Sequence, residues 1–364
     1  WLYQFYISER KDEVFASFKN GKKAAAEDIP AATQIFTPNW IVKYMVQNTI
    51  GRIYLDNEPY SDLKSAMQYL VDCEPTPREC QFRYTDLTEL TMVDPACGSG
   101  HILLEGFELY MKMYQEAGYT LSQSIELIFT KNLLGIELDT RAKQLSMFAL
   151  LLKACQYDRS FADAHVLPRV LDMPNVDVYT WRDLGGHMAC AFQMRTTETI
   201  NRELDAAFML LKQADNLGSI MRFKISSATR RFMQEALKHI DEESRFTDDF
   251  GGLAHGFRLI LALTDKYAAV VANPPYMGAG NMNAGLSTYA KNNYPDSKSD
   301  LFAIFIEQAL HMCREYCRVG LITMESWMFL SSYEKLRNKI LNNHHIVQTN
   351  CHVLRMSRLS LDFL

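Results

Sequence analysis

The sequence of 364 residues lacks the features that mark a membrane protein or a secreted protein. No apolar stretch reaches the ~18 residues that a membrane-spanning helix needs, and no charged segment followed by an apolar one resembles a signal peptide. The chain is therefore expected to be cytoplasmic and to have no membrane partner. It begins at Trp1 rather than at a methionine, which indicates a piece of a longer protein.

The eight cysteines lack the spacing of a zinc site or of a disulfide framework. Cys73 and Cys80 do not have zinc-finger spacing, and Cys313 and Cys317 lie one helical turn apart without a second pair of ligands. In a chain of cytosolic character we expect free thiols. No metal site is predicted.

The chain also lacks an excess of positive charge, since 38 lysines and arginines stand against 43 aspartates and glutamates. The formal net charge of -5 does not indicate a nucleic-acid-binding protein. It does not exclude one, because a local basic surface is enough for phosphate contacts and a separate module can supply most of the DNA affinity.

The most informative stretch is Asn273-Pro274-Pro275-Tyr276, which follows the apolar run 267–272. Two consecutive prolines fix φ and hold Asn273 extended at the end of a predicted buried strand. Its amide oxygen and the following carbonyl can then both accept from one exocyclic amino group, while the tyrosine ring offers a face for stacking. The N6 amine of adenine fits this arrangement. A strand that simply ends in an Asn-Pro turn is the alternative.

A second motif is a glycine turn between a predicted strand and a predicted helix. It consists of Asp94-Pro95-Ala96-Cys97-Gly98-Ser99-Gly100. Strand, glycine turn and helix form the first unit of a nucleotide-binding α/β sheet, in which glycines let the backbone approach a ligand closely. An acid at the end of the strand suits a ligand ammonium better than a pyrophosphate. The motif therefore points to a cofactor that carries an amino acid.

The predicted second strand, 133–139, carries Glu137 and Leu138 near its end. In sheets of this kind the acid after the second strand binds the ribose hydroxyls of the ligand. The separation from the glycine turn exceeds the ~20 residues of the dinucleotide fingerprint, which disfavours a nicotinamide dehydrogenase.

Further along, residues 175–180 are the predicted third strand, and Asp183 is an acid that could accept from the adenine amine of a cofactor. A solvent-facing acid is equally compatible with this position. Residues 195–248 are predicted to form an inserted helical hairpin, because they have many i,i+4 charge pairs and no strand signal. Residues 277–299 are rich in Gly, Asn and Ser and are expected to form a mobile loop over the site.

Two more strands, 318–323 and 346–349, are predicted after this loop. Ahead of all these motifs, Thr37 can cap a helix whose first residue would be Pro38. A helix N-terminus of this kind binds carboxylates. A well-capped surface helix without a ligand is the alternative.

At these residues the chain resembles the γ-class DNA adenine-N6 methyltransferases, in particular the large restriction-modification and phage-defence (BREX-type) enzymes. The resemblance spans about residues 34–349 and depends on the order of four elements, which are 36–38, 94–100, 135–139 and 273–276. It implies an α/β fold with a Rossmann-like sheet, helices on both faces and a helical insertion.

The resemblance also implies S-adenosylmethionine as the cofactor and a role for each motif. The implied cofactor-binding residues are Thr37, Pro38, Asp94, Pro95, Ala96, Gly98, Gly100, Glu137 and Leu138, to which Asp183 is added as the acid of the third strand. The implied catalytic residues are Asn273, Pro274, Pro275 and Tyr276. Asn273 and the Pro274 carbonyl would bind the amine of a flipped adenine in double-stranded DNA, and Tyr276 would stack on the base.

The predicted organisation has four parts. Residues 1–30 are a helical lead-in, 31–194 the cofactor-binding half, 195–248 the insertion, and 249–364 the catalytic half, truncated before a target-recognition domain. The expected partners are that domain or a specificity partner, together with other defence-system subunits. The rival functions are methylation of a protein glutamine or of an exocyclic amine in RNA, and a non-catalytic cofactor-binding subunit.

Overall fold

The computed structural model describes residues 11–14, 16, 22–30, 37–72, 76–174, 181–242, 244–347 and 349. In this part of the chain five strands form one parallel sheet. They are β1 (Met92–Asp94), β2 (Leu133–Ile136), β3 (Val170–Leu171), β4 (Tyr267–Ala272) and β5 (Cys313–Leu321). The order across the sheet is β3-β2-β1-β4-β5. Strands β2 and β3 therefore lie on one side of β1, whereas β4 and β5 lie on the other, and the strand order reverses between β1 and β4. Ligands of parallel α/β sheets bind at the carboxyl ends of the strands beside such a reversal.

Helices cover both faces of the sheet. In chain order they are α1 (Asn39–Val46), α2 (Arg52–Asn57), α3 (Leu63–Ala66), α4 (His101–Glu116), α5 (Leu121–Leu127), α6 (Thr140–Tyr157), α7 (Trp181–Ala191), α8 (Glu198–Leu211), α9 (Ala214–Leu217), α10 (Ser227–Glu242), α11 (Ser244–Thr264), α12 (Ala284–Asn293), α13 (Leu301–Met312) and α14 (Glu334–Asn343). No helix of the described residues is both long and apolar enough to cross a membrane.

Successive residues of the central strands face two separate apolar cores. Val93 of β1 and Val270 of β4 pack with α7 to α11 and α13. Met92, Ala269 and Val271 pack on the other side with α1, α4 and α5. Every residue of β4 is buried, as expected for a parallel strand covered on both faces. The predicted α/β fold with helices on both faces is confirmed.

The segment 195–248, predicted to be an inserted hairpin, contains α8, α9, α10 and the beginning of α11. Its residues Leu204, Phe208 and Met233 are buried in the same core as the strand residue Val270. Helix α11 also extends past residue 248, to Thr264. These helices therefore form much of the layer that covers one face of the sheet.

The edge strands differ from the sequence-based expectations. The third strand of the sheet is β3, whereas the predicted residues 175–180 lie outside the described part of the chain. The predicted fifth strand starts at Arg318, which is where β5 resumes regular pairing after a bulge between its contacts with Tyr267 and Ala269. Residues 346, 347 and 349 are not in a strand, so the predicted sixth strand is wrong for them.

The segment expected to be a loop over the site contains helix α12, which is 10 residues long. Gly278 and Asp300 form an isolated antiparallel bridge at its base, and the Asp300 carboxylate accepts from the Met277 N–H at 3.0 Å. Helix α12 follows, with Leu286 and Ala290 buried. The apolar residues of this segment pack into the core beside the helical layer. The Gly, Asn and Ser content of the sequence did not reveal this.

Gly100 begins α4 at a position that requires a left-handed backbone, with φ of 87°, and a Cβ there would lie 2.3 Å from Ser146 Oγ on α6. Gly118 has nearly the same φ, 84°, but open space around its Cβ position. We expect Gly118→Ala to lower the free energy of unfolding by about 1–2 kcal/mol through backbone strain alone. Gly100→Ala should lower it by roughly 1–3 kcal/mol more, because it also overpacks the α4–α6 contact. Urea unfolding of both variants measures the difference, and equal losses would contradict the clash.

Candidate active site

One cavity opens at the carboxyl ends of β1, β2 and β4, where the strand order reverses. Most of the residues predicted from the sequence line it, namely Thr37, Asp94, Pro95, Ala96, Gly98, Glu137, Leu138, Asn273 and Pro275. The predicted residues that do not appear among its described lining residues are Pro38, Gly100, Pro274, Tyr276 and Asp183. Segments more than 200 residues apart in the sequence are thus brought to one site by the sheet.

Asp94 is the last residue of β1 and is completely buried. Its Oδ1 accepts from the Ala96 N–H at 3.0 Å, whereas Oδ2 has no hydrogen-bond partner among the described residues. Burial, with a smaller contribution from the nearby Glu137 carboxylate, raises the pKa of Asp94 to about 8. A buried carboxylate oxygen without a partner is unfavourable when ionised and therefore favours a cationic ligand.

Glu137 lies directly after β2, beside the glycine turn that follows β1. Its Oε2 accepts from the Gly98 N–H at 2.6 Å and its Oε1 from the Asp139 N–H at 3.1 Å. Burial raises the pKa of Glu137, although these backbone N–H groups partly oppose the shift. Gly98 has φ of 53°, and a Cβ there would meet no atom within 4 Å. The turn therefore leaves open space for a ligand next to the Glu137 carboxylate.

Asn273 follows β4, and its amide group is held from two sides. Its Nδ2 donates to Thr37 Oγ1 at 2.9 Å, and its Oδ1 lies 3.3 Å from the Tyr276 hydroxyl oxygen. Asn273 and Pro275 both line the cavity. The proline pair restricts the backbone while these two contacts restrict the side chain. The amide is therefore positioned before any ligand binds.

Thr37 does not have the role in helix α1 that the sequence suggested. The N-cap residue of α1 is Pro38, whose carbonyl accepts from the Ile41 and Val42 N–H groups, and no side chain caps the helix. The predicted Thr37 cap is wrong because the hydroxyl accepts from Asn273 instead. Thr37 is only 8% exposed and still lines the cavity.

Tyr276 is not among the described lining residues of the cavity, but it contacts Asn273, which is. Its hydroxyl donates to the Ile322 carbonyl at 2.8 Å, at the end of β5. Its ring centroid lies 6.0 Å from that of Phe302 on α13. Burial raises the pKa of Tyr276, so its hydroxyl stays protonated as a donor. The ring is thereby fixed beside the Asn-Pro-Pro segment.

The acid that directly follows the third strand is Asp172, not Asp183. Its two carboxylate oxygens accept from Lys143 Nζ at 2.8 Å and Thr140 Oγ1 at 2.9 Å, and His255 Nε2 lies 3.2 Å from Oδ1. Burial opposes ionisation of Asp172, but the hydrogen bonds from His255 and Lys143 outweigh it and lower its pKa. Asp183 lies in the first turn of α7. Neither Asp172 nor Asp183 is among the described lining residues of the cavity, and the role of Asp183 stays a prediction.

The helical layer supplies cavity residues that sequence reasoning missed. Asn216, Gly218 and Ser219 line the cavity, and the Ser219 hydroxyl donates to the Pro95 carbonyl in the glycine turn. An Asn and a Gly that interrupt a helical stretch were the available signal. Their position over the cavity depends on packing between distant helices and is not visible in the sequence.

The segment after Asn273 also returns to the cavity. Asn283, which caps α12, exchanges two hydrogen bonds with Asn216, at 3.2 and 2.6 Å. Leu286 of α12 lines the cavity, as do Ile29 and Pro30 of the N-terminal lead-in. The helical layer, helix α12 and the N-terminal lead-in thus all contribute residues that line the cavity.

Comparison with known proteins agrees with this geometry. Residues 131–350 match the Eco57I restriction-modification methylase family, a range that contains Glu137 and the Asn-Pro-Pro-Tyr motif. The chain belongs to this family. Residues 76–177, which contain the Asp94 motif, match the DNA-methyltransferase domain of MmeI. The resemblance to restriction-modification methyltransferases is confirmed at the level of the Eco57I family.

Two curated relatives of this Eco57I-family chain are adenine-specific methyltransferases. BrxX of Escherichia coli O9:H4 (strain HS) is 38% identical over 94% of the chain, and PglX of Lacticaseibacillus casei (strain Zhang) is 32% identical over 99% of it. The chain spans 30% and 32% of their lengths. Among solved structures, a nuclease-deletion mutant of the Type ISP restriction-modification enzyme LlaGI with a DNA substrate mimic matches 85% of this chain and 22% of that one, with 16% identity and a TM-score of 0.41.

The raised pKa of Asp94 gives a testable pH dependence in this Eco57I-family chain. Between about pH 4 and pH 8 the folded carboxyl holds a proton that the unfolded one has released, so raising the pH favours unfolding. Asp94→Asn removes this effect and keeps an acceptor for the Ala96 N–H. We expect the free energy of unfolding of the wild type, minus that of the variant, to fall from pH 5 to pH 8 by up to ~1.4 kcal/mol per pH unit. Urea titrations at four pH values measure it, and a constant difference would show that Asp94 is ionised throughout.

Proposed function

We propose that this chain is the catalytic core of a site-specific DNA methyltransferase that transfers a methyl group from S-adenosylmethionine to N6 of a flipped adenine. A restriction-modification or BREX phage-defence system is the proposed setting, and the cytoplasm the proposed location. The observation that carries the proposal is that one cavity is lined both by Asp94, whose Oδ2 has no hydrogen-bond partner among the described residues, and by Asn273, whose amide Thr37 holds. Family membership and the two adenine-specific relatives support it.

The residues present fit the amino-acid end of S-adenosylmethionine. Once ionised, Asp94 Oδ2 can accept from an ammonium group, because it has no hydrogen-bond partner among the described residues. The open space at Gly98 admits a ligand backbone, and Glu137 lies beside it with a carboxylate that can accept from ribose hydroxyls. Thr37 provides a buried hydroxyl for the carboxylate.

The cofactor, when bound, supplies an electrophilic methyl group on a sulfonium. The protein supplies the geometry for the acceptor. Asn273 Oδ1 and the Pro274 carbonyl would accept the two hydrogens of the adenine amine, which draws them from the ring plane and localises the nitrogen lone pair. Such positioning can supply about 7–11 kcal/mol of the barrier reduction. No strong general base is required, because the nitrogen releases its proton to solvent after the methyl group has arrived.

Tyr276 is proposed to stack on the flipped base, because its hydroxyl contact with Ile322 fixes the ring next to Asn273. Extrusion of the base from double-stranded DNA exposes the amine to this pocket. Target recognition is proposed to come from a further domain or a specificity partner, since the relatives are about three times longer than the matched region.

Asn273→Ala should abolish methyl transfer by the full-length protein while leaving cofactor affinity within about threefold, because the amide acts on the acceptor. The assay follows labelled methyl from S-adenosylmethionine into unmethylated DNA, RNA and protein, with calorimetry for cofactor binding. Wild-type label in DNA at adenine N6 is the expected result. Label confined to protein or RNA, no wild-type transfer at all, or an active variant would each refute the proposed function or the role of Asn273.

Cofactor binding should also release a proton. At pH 7 most Asp94 carboxyls are protonated, whereas the complex with an ammonium group requires the carboxylate. We therefore expect release of nearly one proton per bound S-adenosylhomocysteine at pH 7, and affinity that increases as the pH rises towards 8. Calorimetry in buffers of different ionisation enthalpy measures the release. Asp94→Asn is the control and should bind weakly with no release. A wild type that binds without releasing protons would contradict the ammonium contact.

A further inference from the structure

The segment that follows β5 exposes several large apolar side chains. In the described part of the chain Phe329 is 72% exposed, Leu330 53% and Met324 49%. All three belong to one short stretch, residues 324–330, here named the apolar tip. Exposed apolar side chains concentrated in one segment are typical of a binding surface.

The apolar tip begins close to the level of Asn273 in the sheet. Strands β4 and β5 are parallel neighbours, with Ala272 opposite Leu321, and the Ile322 N–H donates to the Ala272 carbonyl at 3.1 Å. Ile322 therefore lies beside Asn273, at the level where the target base is proposed to bind. The apolar tip starts two residues later.

Both ends of the apolar tip are attached to Tyr276. Ahead of the tip, the Ile322 carbonyl accepts from the Tyr276 hydroxyl at 2.8 Å. After the tip, the ring centroid of Tyr333 lies 5.9 Å from that of Phe302, which lies 6.0 Å from that of Tyr276. Phe302 and Tyr333 are buried in one small core, against which Tyr276 and Trp327 pack. The tip therefore has a fixed base next to the ring that is proposed to stack on the flipped adenine.

The backbone of the apolar tip is also held in place. Arg337 of α14 donates to the Trp327 and Leu330 carbonyls at 2.8 and 2.6 Å. The Phe329 and Leu330 N–H groups donate to the Ser326 carbonyl at 3.2 and 2.9 Å. An exposed aromatic ring on a restrained backbone loses little conformational entropy when it binds a partner.

We infer that the apolar tip contacts double-stranded DNA beside the target adenine and that Phe329 stacks on the base pair next to the extruded base. Proteins that distort DNA insert Phe, Leu, Ile or Met side chains at base steps. Extrusion of a base exposes the flat face of its neighbour, and an aromatic ring that covers this face stabilises the open duplex. The inference depends on the proposed function, and it adds a residue that acts on the DNA rather than on the cofactor.

The composition of the apolar tip predicts stacking rather than a contact with phosphates. Residues 324–330 include one glutamate and no lysine or arginine. Because the salt dependence of DNA binding comes from cations that neutralise phosphates, this contact should not contribute to it. The other occupant to be tested is a further part of the longer protein, since the chain spans 30% and 32% of its two relatives.

Phe329→Ala in the full-length protein tests the contact on two duplexes. One contains a site that the wild type methylates. The other has the same site with the target adenine opposite an abasic position, so that the base is already unpaired. On the paired duplex we expect the single-turnover rate of methylation at saturating cofactor to fall about tenfold or more, as for loss of one stacking contact. On the abasic duplex the loss should be about threefold or less, because an unpaired base is extruded more easily.

A second measurement does not depend on turnover. With 2-aminopurine in place of the target adenine, fluorescence rises when the base leaves the stack. In the presence of S-adenosylhomocysteine the wild type should produce this rise, and Phe329→Ala a smaller one. Phe329→Trp keeps an aromatic ring and should restore both the rise and the methylation rate. Cofactor affinity and the slope of log Kd for DNA against log salt concentration should be the same in all three proteins.

Tyr60→Ala is the matched control, because Tyr60 is 97% exposed but lies far from the cavity. The neighbouring Ser61 donates to Glu116, the last residue of α4, whereas His101, the first residue of α4, lines the cavity. Loss of this exposed ring should leave methylation of both duplexes unchanged.

The outcomes separate the inference from the proposed function. If the wild type transfers no methyl group to either duplex, the proposed function fails. If the wild type is active and Phe329→Ala equals it on the paired duplex, the DNA contact is refuted. Equal losses on the paired and the abasic duplex would assign the apolar tip to another part of the protein, and would also refute the contact with DNA. A salt slope that differs from that of the wild type would contradict stacking.

Discussion

The site depends on a carboxyl group that the fold buries with a hydrogen bond to only one of its two oxygens among the described residues. Asp94 is inaccessible to solvent, and one of its oxygens makes no hydrogen bond among the described residues. Ionising such a group is unfavourable, which is why burial raises its pKa to about 8. This arrangement does not stabilise the protein without a ligand, because a buried polar group without a partner destabilises the folded state. A cationic ligand would remove the penalty, so stability of the free protein is exchanged for affinity.

Asp94 and Asn273 lie at different levels along the strand direction. Strands β1 and β4 are parallel neighbours, with Met92 opposite Ala269 and Val93 opposite Val270. Continuing this register places Asp94 beside Val271, so Asn273 comes two residues later, or about 7 Å farther along the strand. The acid therefore lies deeper than the amide. A ligand ammonium would be held at the deeper level, and an acceptor base would approach at the level of Asn273.

Local sequence patterns were sufficient to predict the cavity residues at the strand ends. They were not sufficient to predict the residues that helices bring over those ends. Asp94, Glu137 and Asn273 were predictable because Asp94 ends a buried apolar strand and the other two directly follow one. Asp172 was missed because β3 has only two residues, too few to give a periodic signal. Asn216 and Leu286 were missed for another reason, since long-range packing of helices brings them over the strand ends. The Thr37 hydroxyl looked like a helix cap because its partner Asn273 lies 236 residues away.

Residues 195–248 contribute to the site as well as to the core. Ser219 donates to the Pro95 carbonyl of the glycine turn, while Asn216 and Asn283 join the layer to the segment that follows the Asn-Pro-Pro-Tyr motif. This layer is thus attached to both halves of the site, one that would hold the cofactor and one that would hold the base.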